Sequence, residues 1–209
     1  MKNESGRSMV EMLGVLAIIG ILSAGALKGY SDAMFKYKMN QTIDITTKML
    51  QRFEEINQKD WGGTQDENVN IYTGDGSAVA WGLLDKCDSD GHDGCRLPIG
   101  SVYIDLYDSP SDSNECGAPG HYGQFDFYFT SGKECIAFAS VHWEQMLPDE
   151  WFNSRRGFDI GGTYLYFPYP TDDNSVTFST TSDIINNCQT KCNNQNTCRV
   201  TLIYRAYAC

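Results

Sequence analysis

A chain of 209 residues with 27 acidic against 16 basic side chains carries a formal net charge of −11. The surplus is one-sided: residues 1 to 60 hold eight Lys/Arg and seven Asp/Glu, whereas residues 61 to 209 hold eight and twenty. Such an acidic C-terminal part repels a phosphate backbone and argues against nucleic acid as a partner.

The chain opens on a short polar segment, MKNESG, followed from Met9 to Leu27 by nineteen residues in which Glu11 is the only charge. As a helix that stretch measures about 28 Å, close to the hydrocarbon thickness of a bilayer, and it reads as one membrane span. A carboxylate inside an apolar segment is costly and calls for a cation. Gly20 with Ala24 and Gly25 with Gly29 form small-xxx-small pairs, surfaces that let helices approach closely in lipid or in a dry core.

No proline precedes Pro98. From Lys28 onward Tyr30, Met34, Tyr37, Ile45, Met49, Phe53 and Ile56 recur at helical spacings, so the helix is expected to continue to Asn57. Trp61-Gly62-Gly63 supplies a stop. A helix from Met9 to Asn57 would be a rod of roughly 70 Å.

A polar leader ending in glycine, four residues, a glutamate and then an unbroken apolar helix: over residues 1 to about 57 this order resembles the class III leader and N-terminal helix of type IV pilins and type II secretion pseudopilins. The resemblance implies cleavage after Gly6 by a prepilin peptidase and N-methylation of the new N-terminus, Arg7. It implies residence in the bacterial inner membrane before assembly and in an extracellular filament afterwards, as a homopolymer or with other pilins. Glu11 becomes the fifth mature residue, the position at which the family keeps its glutamate. There it would pair with the N-terminal amine of a neighbouring subunit, and leaving one partner out would cost on the order of 3 to 5 kcal/mol. The implied fold is α+β and pilin-like: a long N-terminal helix packed on a largely antiparallel β-sheet head with disulfides. Two features depart from the family pattern. Arg7 stands where phenylalanine is usual, and Gly25 and Gly29 stand near where many members have a mid-helix proline.

The rival reading is a secretory signal peptide, with Lys2 and Arg7 as its basic region, Met12 to Leu22 as its apolar core and Ala24-Gly25-Ala26 as its cleavage site. The mature protein would then start at Leu27 as a secreted, disulfide-stapled binding domain. Glu11 and the unbroken stripe through Ile56 favour the first reading. On it the chain divides into a leader (1–6), a long helix (7–57; apolar half 9–27, amphipathic half 28–57) and a head (58–209). About 150 residues suffice for one domain with its own core.

Beyond Gly63 the period changes. Val69 to Thr73, Ser101 to Tyr107, Tyr122 to Phe129, Cys135 to His142, Thr163 to Tyr169, Val176 to Thr180 and Arg199 to Tyr207 are rich in aromatic and β-branched residues and bounded by turn formers, so they are expected as strands. Ser182 is expected to cap a short helix running past Cys188 and Cys192, and Trp143 to Phe152 to form another. Alternation along the strands predicts aromatic core on one sheet face and tyrosines on the other.

All eight cysteines (Cys87, Cys95, Cys116, Cys135, Cys188, Cys192, Cys198, Cys209) lie in the head. An even count beyond a membrane segment points to disulfides in an extracytoplasmic compartment, a better reading than a zinc site on Cys188-x3-Cys192 with Cys198 and Cys209. On one helix Cys188 and Cys192 would hold their β-carbons about 5 to 6 Å apart, too far for a mutual disulfide. The expected pairs are Cys87 with Cys95, Cys116 with Cys135, and the four C-terminal cysteines among themselves.

Between Cys87 and Cys95, Asp88, Asp90 and Asp93 around Gly91 and Gly94 resemble a shortened calcium loop, but the downstream bidentate glutamate is missing. A solvated acidic turn closed by its own disulfide is the preferred reading, and no cofactor is otherwise implied. The histidines His92, His121 and His142 fall in separate segments, and no H-E-x-x-H, G-x-S-x-G or phosphate-cradling loop occurs. The expected role is structural rather than enzymatic.

Overall fold

In the computed structural model the described residues are 5–58, 71–72, 77–89, 94–109, 120–146, 157–166, 180–193 and 198–207. Two compact units divide the chain, Met1–Asn40 and Gln41–Cys209. The first helix, α1 (Ser5–Gln58), supplies the described part of the first unit and the opening of the second. Its 54 residues contain no proline to interrupt the ladder of backbone hydrogen bonds. The expected stop at Trp61-Gly62-Gly63 lies outside the described residues.

The second unit is an antiparallel sheet packed with helices, an α+β arrangement. Its strands are β1 (Ile71–Tyr72), β2 (Cys95–Arg96), β3 (Ser101–Ser109), β4 (Gly120–Phe129), β5 (Gly157–Ile160), β6 (Thr163–Tyr166) and β7 (Cys198–Tyr207). They run in the order β1-β3-β4-β7-β5-β6, with β2 also on β3, and every pairing is antiparallel. The helices are α2 (Ser77–Ala80), α3 (Gly132–Ala139), α4 (Trp143–Met146) and α5 (Thr181–Asn193).

Period-two alternation decides what the sheet buries. Val102 and Ile104 of β3, Phe125, Phe127 and Phe129 of β4, Ile160 of β5, and Val200 and Leu202 of β7 all turn to one face and are buried. Against them pack Met49, Leu50 and Phe53 of α1, Phe138 of α3 and Trp143 of α4. Phe53 meets Phe125 edge to face at 5.4 Å, and Phe138 lies 4.5, 5.1 and 4.9 Å from Phe127, Phe129 and Trp143. The buried indole still has a partner, since its Nε1 donates to the Phe138 carbonyl at 3.1 Å. Full burial of each such ring is worth about 1.5 to 3 kcal/mol relative to exposure.

The core-facing stripe of α1 differs from the expected one. Tyr30 and Tyr37 are exposed, and within the second unit Thr42 and Thr46 are fully buried beside Met49, Leu50 and Phe53. Threonine fits because its hydroxyl can be satisfied locally. Thr46 Oγ1 donates to the Thr42 carbonyl at 2.9 Å, and Thr42 Oγ1 accepts from the Ile99 amide at 3.0 Å, linking α1 to the loop between β2 and β3.

Two sequence expectations need correction. Of the expected strand Cys135 to His142, residues 135–139 belong instead to helix α3, Ser140 is its C-cap and residues 141–142 follow. The helix forms because Ser131 and Glu134 make a capping box: Ser131 Oγ accepts from the Glu134 amide while the Glu134 carboxylate accepts from the Ser131 amide. Helix α5 is capped by Thr180 rather than Ser182, with the Asp183 carboxylate accepting from the Thr180 amide at 2.6 Å and its hydroxyl at 2.8 Å. Those two bonds hold the Asp183 carboxyl below its usual value. Strands β2 and β5 were too short to stand out from the loops around them. Of the expected helix from Trp143 to Phe152, Trp143–Met146 is described. Residues 147–152, the strand Val176 to Thr180 short of its last residue, and 167–169 lie outside the described residues.

Gly100 closes the turn between β2 and β3 with φ +76°. A Cβ there would stand 2.3 Å from the Tyr128 carbonyl oxygen of the neighbouring β4. Gly100→Ala is therefore expected to cost at least the roughly 1–2 kcal/mol of the left-handed conformation, plus the displacement of β3 from β4. Urea unfolding of the two proteins measures it, and a midpoint equal to the parent's would contradict the expectation.

Candidate functional site

The residues singled out from Gly6 to Gly29 all fall on α1, and Lys2 lies outside the described residues. Gly6 and Arg7 lie in its first turn, and Met9, Val10, Met12, Leu13, Val15, Leu16, Ile18, Ile19, Ile21, Leu22 and Leu27 are exposed along it. Exposure of that much contiguous apolar surface marks an interaction surface for lipid or protein. This helix is long and apolar enough to cross a membrane. Glu11 is exposed within the same surface. Among the described residues, a Cβ added at Gly20, Gly25 or Gly29 would meet no atom within 4 Å beyond the helix's own backbone, and Ala24 is likewise exposed. The small positions are thus open to close approach by another helix.

The described cystines all lie in the Gln41–Cys209 unit. Cys87 joins Cys95 as expected, closing the acidic turn, and the Asp88 carbonyl accepts from the Arg96 amide at 2.8 Å. The Asp88 carboxylate faces the Lys86 ammonium at 3.1 Å; Asp90 and Asp93 lie outside the described residues. Cys135 joins Cys188 rather than Cys116, and Cys192 joins Cys198. The expectation that the C-terminal cysteines pair among themselves therefore holds for Cys192 and Cys198 and fails for Cys188. The reason is the docking of α3 beside α5: a Cβ on Gly132 would come 3.4 Å from the Cys188 carbonyl, so the helices run close enough for Cys135 to reach across. Cys188 and Cys192 do share α5 and do not bond to each other, as their spacing requires. Cys116 and Cys209 lie outside the described residues.

The sheet face away from the aromatic core carries a polar ladder that spacing alone did not single out. Asp105 of β3 sits opposite Gln124 of β4, and Asp126 of β4 sits opposite Thr201 of β7, itself opposite Asp159 of β5. Gln124 Nε2 donates to Asp126 at 2.8 Å, the Thr201 hydroxyl donates to the same carboxylate, and Arg199 approaches Asp126 and Asp159 at 3.9 and 4.0 Å. Asp126 and Thr201 are buried. Among the described residues Asp105 Oδ1 is a buried oxygen that accepts no hydrogen bond. Burial, and after it the nearby Asp126 charge, push the Asp105 carboxyl above its ordinary value of 3.8.

A raised carboxyl favours the folded state when protonated, so its charge destabilises the protein increasingly as pH rises from 3.8 through the folded value. Asp105→Asn is expected to raise the melting temperature at pH 7, and the gain is expected to vanish below pH 3.8. Melting curves at both pH values test this; a variant less stable than the parent at pH 7 would contradict it.

Comparison of the chain with family models, with curated proteins and with solved structures returns no match.

Proposed function

We propose that this chain is the structural subunit of an extracellular, type IV pilus-like filament. It would be cut after Gly6 by a prepilin peptidase, N-methylated at Arg7 and polymerised through α1, with the inner membrane as its reservoir before assembly. The observation that carries the proposal is the exposed apolar surface of α1 from Met9 to Leu27 with one carboxylate, Glu11, five residues after Gly6. A lipid core accommodates that surface before assembly, and a bundle of like helices accommodates it afterwards. Glu11 then serves as the counter-charge to a neighbouring subunit's N-terminal amine, and Gly20, Ala24, Gly25 and Gly29 permit close helix packing. The stapled α+β unit would form the outer layer of the filament. The role involves no chemistry on a substrate and no cofactor.

A pseudopilin of a type II secretion system would share the same helix and processing. Abundance separates the two, since a major pilin dominates sheared surface filaments and a pseudopilin does not. The experiment that tests the proposal is the intact mass and N-terminal sequence of the protein from its native cells. A chain starting at methylated Arg7 is the expected result. A chain starting at Leu27 would remove Glu11 from the mature protein and overturn it in favour of a secreted binding domain.

A further inference from the structure

Directly past Leu27, where the apolar run of α1 ends, the charge pattern changes sign. Residues 28–40 carry Lys28, Lys36 and Lys38 against Asp32 alone, and all four side chains are exposed, as is Tyr30 at 67%. Residues 41–209, by contrast, hold 11 Lys/Arg and 24 Asp/Glu, a net −13. We propose that Lys28, Lys36 and Lys38, together with Tyr30, form a collar that binds anionic phospholipid headgroups on the membrane face from which α1 emerges. This inference rests on the proposed residence of α1 in a membrane before assembly.

The order of residues along the helix matches the order of layers in a bilayer. With Leu27 at the edge of the hydrocarbon, Lys28 and Tyr30 stand about 1.5 to 5 Å beyond it, at the level of the headgroups. There a tyrosine rests its ring on the acyl boundary and keeps its hydroxyl wet, while a lysine lays its stem along apolar surface and brings its ammonium to a phosphate. Lys36 and Lys38 follow about 14 to 17 Å past Leu27, and their flexible stems return both charges to within roughly a Debye length of the phosphates. A lysine close to an anionic surface strengthens binding about fivefold, an effect that Asp32 offsets in part. On the filament reading this flank is extracytoplasmic, whereas an excess of lysine and arginine ordinarily marks the cytoplasmic flank of a span, so topology does not account for three lysines here. The acidic residues 41–209 are repelled by the same lipids, which leaves the collar as the part of this flank with complementary charge.

The test uses the full chain reconstituted in phosphatidylcholine vesicles that contain traces of spin-labelled phosphatidylglycerol or spin-labelled phosphatidylcholine. The fraction of label immobilised against the protein reports the relative association of each lipid. Phosphatidylglycerol is expected to associate at least about threefold more strongly than phosphatidylcholine in dilute buffer, and the two are expected to converge at about 0.5 M salt, where the Debye length is roughly 4 Å. A triple variant, Lys28→Gln with Lys36→Gln and Lys38→Gln, keeps Lys2 and Arg7 at the other end of the span and is expected to show no preference in dilute buffer. Flotation with neutral vesicles after an alkaline wash establishes that each protein is embedded. Equal association of the two lipids with the embedded parent, or an undiminished preference in the embedded variant, would overturn the collar and leave membrane residence standing. Equal association in the parent combined with lost filament yield in the variant would instead assign the lysines to the acidic surface of a neighbouring copy. A parent that fails to float would overturn both the collar and the membrane residence on which it rests.

Discussion

Replacing Cys135 and Cys188 together by alanine is expected to lower the stability of the Gln41–Cys209 unit more than any other single staple removal among the described residues. The bond closes a loop of 53 residues, against 8 for Cys87–Cys95 and 6 for Cys192–Cys198. Loop-closure entropy puts its contribution at about 4 kcal/mol, compared with about 2 to 2.5 kcal/mol for the short loops. It also ties α3 to α5, where Phe138 completes the aromatic core against Phe127, Phe129 and Trp143. The double variant is the informative one. Replacing Cys188 alone would leave the buried Cys135 thiol beside the Cys192–Cys198 bond, within reach for thiol–disulfide exchange. Denaturant unfolding under non-reducing conditions measures the loss, and a cost smaller than that of breaking Cys87–Cys95 would contradict the ranking.

That pairing was beyond the sequence for a physical reason. Which cysteines meet depends on how α3 docks on α5, and no periodicity or spacing reports docking; the eight-residue Cys87–Cys95 loop, by contrast, was legible because short loops leave few alternatives. The long helix, strands β3, β4 and β7 and the phenylalanine face were legible because each rests on a sustained period of 3.6 or 2. Ile136, Phe138 and Val141 mimic a strand in a window of eight residues and so mask helix α3. Its signature was present all the same in Ser131 and Glu134, three apart, where the capping box fixes the first turn. The buried threonines of α1 escaped a search for apolar residues because their burial depends on hydrogen bonds to a carbonyl and to the Ile99 amide. The ladder of Asp105, Asp126, Thr201 and Asp159 depends on the register of four strands, one of them the unexpected β5, and the burial of Asp126 and Thr201 depends on neighbours that no period reports.

Glu11→Ala is expected to abolish filament recovery while leaving the membrane-bound subunit and its folded unit intact. On the assembly proposal the carboxylate matters only after subunits associate, when a neighbour's N-terminal amine enters the same apolar layer. Removing one member of such a buried pair leaves the other unpaired, at a cost on the order of 3 to 5 kcal/mol per contact, roughly a factor of 10² to 10⁴ in association. Alanine makes the span more apolar, so insertion is not impaired. The residue is also remote in sequence from Gln41–Cys209, whose aromatic core and disulfides are complete without it. Two readouts separate the effects: sheared filament yield, expected to fall to background, and the melting temperature of the detergent-extracted subunit, expected to stay at the parent's value. Filaments at parental yield would end the charge-pair argument. A parallel fall in melting temperature would mean that Glu11 stabilises the subunit itself.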